Sequence, residues 1–180
     1  MKTKIFDGKK IAIKPLSQSD LKKVKKSQDF INSVVEEDTK ILMNKKNSLK
    51  EEREWLGNTL KDMKKHRSTC LIAKYNNIIV GTTDIELGKW RENHVGNFGI
   101  IIRSGYRGIG LGEYLAKEVI NLAKKELKPS PKILKLNVFT TNKPAIGLYK
   151  KLGFKKVARI PDQMQFKGKL VDEYIMLKYL

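Results

Sequence analysis

Residues 100–112, IIIRSGYRGIGLG, run from an apolar stretch through a glycine-rich loop into the start of a helix. The β-branched run 100–102 predicts a buried strand, and the glycines after it let backbone approach a ligand without interference from Cβ atoms. From Leu111 to Leu122 the apolar residues recur at helical spacing. The free N–H groups of that helix's first turn would face whatever the loop holds, so the stretch predicts a phosphate or pyrophosphate site.

Two familiar phosphate-binding motifs do not fit this loop. A P-loop would end in Gly-Lys-Ser/Thr, whereas Glu113 follows Gly112 here. The dinucleotide-binding pattern G-x-G-x-x-G fails in register, because Gly108, Gly110 and Gly112 are spaced by two. The pattern that remains, Arg-x-x-Gly-x-Gly starting at Arg107, resembles the coenzyme A pyrophosphate loop of the GNAT N-acetyltransferases.

A second motif lies in residues 136–154, LNVFTTNKPAIGLYKKLGF. Asn142 suits a helix N-cap, Pro144 suits the first helical turn, and Gly153 suits a left-handed stop. The strand, this Asn and Pro, and the ending Leu-Tyr-x-x-Leu-Gly-Phe resemble the other signature of the GNAT N-acetyltransferases. With both motifs in this order, the chain is identified as a member of that family over residues 70–178.

Two flanking segments extend the resemblance. Residues 8–20 and 168–176 are similar to the alanine and serine N-acetyltransferases of ribosomal proteins. Similar segments also occur in family members that acetylate small amines, amino acids or antibiotics. The resemblance therefore implies an acetyl-CoA-dependent N-acetyltransferase that acts on a primary amine. A protein N-terminus is the first expectation, and a small molecule such as an amino acid, polyamine or antibiotic is the alternative.

The resemblance also implies a coenzyme site made mostly of backbone. The pantetheine arm of acetyl-CoA is expected between splayed strands at 95–102 and 133–139. The pyrophosphate is expected on the amides of the glycine loop, where the helix dipole and the Arg107 cation add stabilisation. No metal is expected. The implied coenzyme-binding residues are Ile100, Ile101, Ile102, Arg107, Gly108, Ile109, Gly110, Leu111, Gly112, Asn142 and Tyr149.

Two residues are implied in catalysis. Tyr149 matches the family tyrosine that protonates the departing thiolate. The base is less defined, because Asn137 stands where the ribosomal-protein alanine acetyltransferases have a glutamate, and an amide cannot take a proton. In the histone acetyltransferases the base is a glutamate near the start of the strand before the glycine loop. That place is His94 here, and imidazole titrates near neutral pH; Glu86 and a water chain stay open.

Composition sets limits on the class of protein. At 180 residues the chain predicts one domain, 1–180, with 40% hydrophobic and 32% charged residues. No apolar run approaches the ~18 residues of a membrane helix. The first residues lack a signal-peptide core, so a cytoplasmic location without membrane contact is expected. Cys70 is the only cysteine, which excludes an intramolecular disulfide and a cysteine metal cluster.

The net charge of +19 has three explanations. A solvated lysine-rich surface is favoured, because the lysines are scattered along the chain. The charge would also steer an anionic ligand such as coenzyme A. Nucleic-acid binding is possible but not favoured, since no RNP, zinc-finger or recognition-helix pattern is present. The charge disfavours a polyamine acceptor unless a local acidic cleft overrides it.

Two function classes besides the enzyme stay open. A non-catalytic acyl-CoA sensor that lost its base is suggested by Asn137, and a basic RNA- or ribosome-binding protein could use the same fold as a scaffold. The intact Arg107, Gly110, Gly112 and Tyr149 favour the enzyme. Either a monomer or a homodimer is compatible with the sequence.

Hydrophobic patterning predicts an α+β fold, with a mixed, mostly antiparallel central sheet of six to seven strands flanked by helices. A capping box at Ser48 marks a helix start with Trp55 in its apolar stripe, and Asn76-Asn77 marks a hairpin. The expected strands are 9–14 at an edge, 68–75, 78–87, 95–102, 133–139, 154–160 and 170–178. Four helices are expected. The first starts at Ser17 or Ser19, the second starts at Ser48, and the other two span 112–127 and 144–152.

Overall fold

An eight-stranded sheet spans the computed structural model, which describes residues 1–37 and 39–180. The strands are β1 Lys2–Phe6, β2 Lys9–Pro15, β3 Ser68–Tyr75, β4 Ile78–Leu87, β5 Val95–Ile102, β6 Ile133–Phe139, β7 Lys155–Phe166 and β8 Lys169–Tyr179. Their order is β1-β2-β3-β4-β5-β6-β8-β7. Every neighbouring pair is antiparallel except β5 with β6, which confirms the predicted α+β class.

Helices cover both faces of this sheet: α1 Gln18–Leu21, α2 Val24–Glu36, α3 Leu49–Lys64, α4 Leu111–Glu126 and α5 Lys143–Lys151. On one face, Val119 of α4 shares a core cluster with Phe98 and Leu136. On the other, Leu56 of α3 shares a cluster with Ile72. We call these the α4 face and the α3 face. No helix within 1–37 or 39–180 is long and apolar enough to cross a membrane.

Strand β1 is the main difference from the predicted sheet of six to seven strands. Only Phe6 of this strand is buried, so its sequence, KTKIF, carries no alternating signal. Lys4 pairs with Ile11, which places β2 inside the sheet and makes the expectation of an edge strand at 9–14 wrong. Phe6 packs edge-on against Tyr114 of α4 with ring centroids 5.6 Å apart, which anchors the added strand.

The local start and stop signals are confirmed where they involve backbone hydrogen bonds. Ser48 Oγ accepts from the Glu51 N–H at 3.2 Å, and Glu51 Oε2 accepts from the Ser48 N–H at 2.7 Å. Asn76 and Asn77 have φ of 46° and 67°, the left-handed pair that a two-residue hairpin turn requires. Trp55 differs from expectation: it is 41% exposed, beside the buried stripe of α3.

The parallel pair β5 and β6 opens into a gap. Only three residue pairs join these strands, the last of them Asn97 with Lys135. Beyond this point the strands part, and we call the space between residues 98–102 and 137–139 the gap. A sheet that divides at its one parallel junction confirms the predicted splay.

Backbone hydrogen bonds show which groups line the gap. The Gly88 N–H donates to Val95 O at 2.8 Å and the Arg103 N–H donates to Val80 O at 3.0 Å, so odd-numbered residues of β5 face β4. The even-numbered residues 100 and 102 therefore direct their N–H and C=O groups into the gap, and Phe98 directs its C=O there. On β6, the Thr140 N–H donates to Asp172 O at 2.9 Å, which leaves the backbone of 137 and 139 facing the gap.

Candidate functional site

The glycine loop connects β5 to α4 in a conformation that side chains would oppose. Gly105, Gly108 and Gly110 have φ of 78°, 77° and 85°, in the left-handed region. No heavy atom lies within 4 Å of a Cβ built on any of the three. Backbone conformation rather than crowding therefore explains why glycine is needed here.

The loop ends on an open helix terminus. Gly110 is the N-cap of α4 and offers no side-chain cap, so the first-turn amides keep their donors for another acceptor. Leu111 is fully buried in the core, which leaves its backbone N–H as the group it can offer. A Cβ on Gly112 would lie 3.5 Å from Leu148 and 3.8 Å from Ile102, so α4 packs closely on α5 and β5. Ile109 packs partly against the same core.

Arg107 is held by two groups near the loop. Its Nε donates to Ile102 O at 2.7 Å, and its Nη2 pairs with Glu37 Oε2 at 2.8 Å. The Ser104 N–H donates to Glu37 Oε1 at 3.3 Å. Glu37 lies just after α2, and sequence reasoning missed it because nothing in its local pattern indicates a contact 70 residues away.

The three isoleucines of β5 divide between the two faces. Ile100 and Ile102 present backbone to the gap and pack side chains on the α4 face. Ile101 instead pairs with Thr82 of β4, and its side chain packs against the cluster that contains Phe30 of α2. The structure thus places the predicted Ile100 and Ile102 at the gap and Ile101 beside it.

Tyr149 of α5 lies on the α4 face next to the gap. Its ring meets Phe98 of β5 edge-on at 6.1 Å and Phe154 at 6.0 Å between centroids. The residue is 8% exposed, and burial raises the pKa of Tyr149 to about 12. The phenol therefore keeps its proton throughout the neutral range.

Asn142 closes the other side of the gap. Its N–H donates to Phe139 O at 2.9 Å, and its Oδ1 accepts from the Ala145 N–H at 3.3 Å as the N-cap of α5. The side-chain Nδ2 is the donor that a ligand in the gap could use. The predicted N-cap is confirmed, and the coenzyme contact stays a prediction.

His94 and Glu86 lie away from the glycine loop. His94 precedes β5 at the end where the strands are joined, and its C=O accepts from the Lys132 N–H at 2.8 Å. With about 3.4 Å per strand residue, it stands roughly 17 Å along β5 from Gly99. Glu86 is exposed and lines an open pocket of about 610 Å³ with Trp90 and Asn97. The role of His94 or Glu86 as base stays a prediction.

Two further carboxylates stand on the α3 face. Asp84 of β4 pairs with Gly99 of β5, and burial, with a smaller contribution from Glu86, raises the pKa of Asp84 to about 6. Glu173 of β8 is 1% exposed, and its Oε2 accepts from Asn137 Nδ2 at 2.6 Å. A lone carboxylate in the buried run of β4 was the signal that could have identified Asp84. The sequence around Glu173 carried no such signal, because its partner Asn137 is 36 residues away.

Cys70 is fully buried in β3. Burial, together with the nearby Asp84 and Asp20, raises the pKa of the Cys70 thiol well above its usual value, so the thiol stays protonated. This matches the expectation of a structural cysteine. Among residues 1–37 and 39–180, no three His, Cys, Asp or Glu side chains are grouped to hold a metal ion.

The glycine loop and α5 lie in a region that matches a known sequence family. Residues 31–154 match the acetyltransferase (GNAT) family. The chain belongs to the GNAT family. This GNAT protein is 31% identical over 109 residues to the L-amino acid N-acetyltransferase AaaT of Escherichia coli (strain K12). The match covers 60% of this chain and 66% of AaaT, just under two thirds of that relative.

Solved structures share the fold of this GNAT protein nearly end to end. The ribosomal-protein-alanine N-acetyltransferase from Brucella melitensis has 22% identity and a TM-score of 0.79, over 94% of this chain and 99% of that one. The yncA protein from Salmonella typhimurium, solved with its cofactor acetyl-CoA, has 18% identity and a TM-score of 0.76, over 94% of both chains. At these identities the likeness establishes the fold.

Proposed function

We propose that the protein transfers an acetyl group from acetyl-CoA directly to a primary amine. The observation that carries this proposal is the glycine loop: three left-handed glycines deliver uncapped first-turn amides of α4 to the mouth of the gap. Such a terminus binds phosphate through N–H donors and the helix dipole. The yncA structure, which holds acetyl-CoA on the same fold, supports the choice of ligand.

The coenzyme would lie along β5. Its pyrophosphate would accept from amides of residues 107–112, and Arg107 would add a cation once its side chain exchanges Glu37 for phosphate. The pantetheine amides would pair with the backbone of Ile100 and Ile102, in the way that a peptide adds a strand to a sheet edge. Asn142 would donate from Nδ2 on the opposite side. The residues present therefore fit the pyrophosphate and the pantetheine arm of the ligand.

Tyr149 would act as the acid. The amine attacks the thioester carbonyl, and the departing sulfur needs a proton as the carbon–sulfur bond breaks. A phenol with a pKa of about 12 is fully protonated at neutral pH and can supply that proton. Its position beside Phe98 puts it at the closed end of the gap, where the reacting end of the pantetheine would lie.

The proposal also covers the chemical class of the acceptor amine. The open pocket of about 610 Å³ beside the gap carries both signs of charge, with Glu86, Arg91 and the 87% exposed Trp90 in its lining. A zwitterionic amine such as a free amino acid suits that lining, and the relative AaaT is an L-amino acid N-acetyltransferase. A protein N-terminus is the second candidate, favoured by the fold shared with the Brucella enzyme.

The test is free-thiol release from acetyl-CoA with a panel of acceptors, run beside a titration of coenzyme binding. The panel contains free amino acids, peptides that begin with Ala, Ser, Met or Gly, polyamines and aminoglycosides, with a blank that has no acceptor. Release above the blank with one class supports the transferase and identifies its substrate. Tight coenzyme binding without release would favour the acyl-CoA sensor, and absence of binding would overturn the coenzyme site.

A further inference from the structure

The α3 face carries an acidic group at the level of the gap. On this face Asp84 of β4 stands beside Gly99 of β5, and two residues past the joined pair Asn97 and Lys135 the next positions across the gap are Gly99 and Asn137. Side chains alternate along a strand, so these positions share one face. Asp84, Gly99 and Asn137 therefore form a row that crosses the sheet over the gap.

Gly99 keeps this row open above the gap. A Cβ at this position would lie 3.0 Å from Asp84 Oδ1, so the carboxylate sits directly over the Cα of the glycine. Asp84 is partly exposed, whereas Cys70 on its other side is fully covered. The carboxylate is thus in contact with Gly99 and partly open to solvent.

Tyr149 reaches the same level from the opposite face. Its ring packs on Phe98, the neighbour of Gly99 in the chain. Consecutive strand residues point to opposite faces, so Tyr149 and Asp84 contact opposite faces of β5, at two residues that are about 3.4 Å apart along the strand. A thioester threaded through the gap would have an acid on one side and a carboxylate on the other.

We propose that Asp84 is the general base that removes the proton from the acceptor amine, which enters from the α3 face. The assignment rests on the proposed transferase function and extends it to the acceptor side. The bound ammonium first releases one proton to solvent through Asp84. The neutral amine nitrogen then forms a bond to the thioester carbonyl carbon and gives a second proton to Asp84. The carbon–sulfur bond breaks, and the sulfur takes a proton from Tyr149. The products are the N-acetyl amide and free coenzyme A, and the proton on Asp84 returns to Tyr149 through solvent.

The surroundings of Asp84 suit this role. The titratable groups next to it are Glu86 on its own strand and the protonated Cys70 thiol on β3, and its partner on β5 is Gly99. Burial and Glu86 place the pKa of Asp84 at about 6, so the carboxylate is ionised at neutral pH and more basic than an ordinary aspartate. An ammonium substrate is also drawn toward the two carboxylates despite the positive net charge.

Asn137 and Glu173 form the other wall of the acceptor site. The hydrogen bond from Asn137 Nδ2 to Glu173 Oε2 turns the amide oxygen of Asn137 away from Glu173, where it can accept from an ammonium. Glu173 Oε1 is buried with no hydrogen-bond partner in the described part of the chain, an unsatisfied acceptor that also favours a cationic ligand nearby. Glu173 is thus a positioning residue for Asn137.

The deciding experiment compares the wild type with Asp84→Asn, using the best acceptor of the panel. We expect kcat/KM to fall about 100- to 10,000-fold at pH 7.5, the usual contribution of a general base, with coenzyme binding unchanged. The wild-type kcat/KM should rise tenfold per pH unit below about 6 and then level off. The variant should lack this inflection, and the wild-type profile is informative even if the variant fails to fold.

Two variants control the comparison. Asp7→Asn makes the same chemical change in the exposed turn between β1 and β2 and should leave kcat/KM unchanged. Glu86→Gln tests the nearest competing carboxylate. Wild-type turnover that survives in Asp84→Asn, or that is lost in Glu86→Gln instead, overturns the assignment to Asp84 alone. A wild type that acetylates no amine overturns the transferase and the base together.

Discussion

The Asp84 carboxylate lies where charge is costly. A carboxyl group in water titrates near 3.9, whereas burial holds the pKa of Asp84 at about 6, so the folded protein resists ionisation of this side chain. Nothing in the sheet needs a charge here, since the neighbouring side chains of β4 are apolar or threonine except for Glu86. A residue that weakens the fold while facing a gap is typical of a functional site.

Asp84→Asn should therefore stabilise the protein at neutral pH. Because the folded pKa is raised, the folded state binds more protons than the unfolded state between about pH 4 and 6, and stability from this group falls as pH rises through that window. The substitution should add about 1 to 3 kcal/mol at pH 7 and nothing at pH 3. Urea unfolding at the two pH values measures the difference, and an equal effect at both would contradict it.

Gly110 is a second single residue with a large expected effect, and it acts through its backbone conformation. Its φ of 85° is strained for any L side chain, so Gly110→Ala should cost about 1 to 2 kcal/mol of stability and reorient the α4 amides. We expect coenzyme affinity to drop at least tenfold by fluorescence titration. Gly57→Ala is the matched control, because a Cβ there meets nothing within 4 Å and alanine favours a helix. Equal behaviour of the two variants would exclude a conformational role for Gly110.

At the scale of elements, α5 places a capping group and a phenol on opposite ends of one short helix. Asn142 fixes where the helix starts, and Tyr149 follows two turns later, under the middle of β5. Gly153 stops the helix with φ of 89° and lets Phe154 pack back on the tyrosine ring. The position of the phenol therefore depends on start and stop signals that are all local in sequence.

Tyr149→Phe should separate chemistry from binding. The phenylalanine ring preserves the contacts with Phe98 and Phe154, while the proton donor is lost. We expect kcat to fall about 100-fold or more with coenzyme affinity within twofold of the wild type. Tyr179→Phe, at the exposed end of β8, serves as the control. Undiminished turnover in Tyr149→Phe would remove the tyrosine from the proton transfer.

At the scale of the whole molecule, the sequence predicted those features whose contacting residues lie close together along the chain. The glycine loop and α5 were predicted because their signals lie within a few residues of one another. Strand β1 was missed because one buried residue makes no period, and Glu37 and Glu173 were missed because their partners are 70 and 36 residues away. The pairing of Asp84 with Gly99 needed the register of two strands, which patterning alone does not supply.

The net charge of +19 acts on the whole molecule. A field of this sign attracts anionic coenzyme A, and added salt screens it over a Debye length of about 3 Å at 1 M against about 10 Å at 0.1 M. The KM for acetyl-CoA should therefore rise several-fold between 0.05 and 0.5 M sodium chloride. Acetyl-pantetheine, which lacks the phosphates, should show a nearly constant KM. Parallel salt responses of the two thioesters would rule out steering.

The gap also gives this sheet two edges in its interior. Amides of a central strand normally exchange with solvent slowly, because the strand has a hydrogen-bonded neighbour on each side. The N–H groups of residues 100 and 102 have no strand on one side, although they lie in the middle of eight strands. By hydrogen exchange, these two amides should behave like those of an outer strand, while their odd-numbered neighbours stay protected. A ligand that fills the gap would turn that alternating pattern into uniform protection.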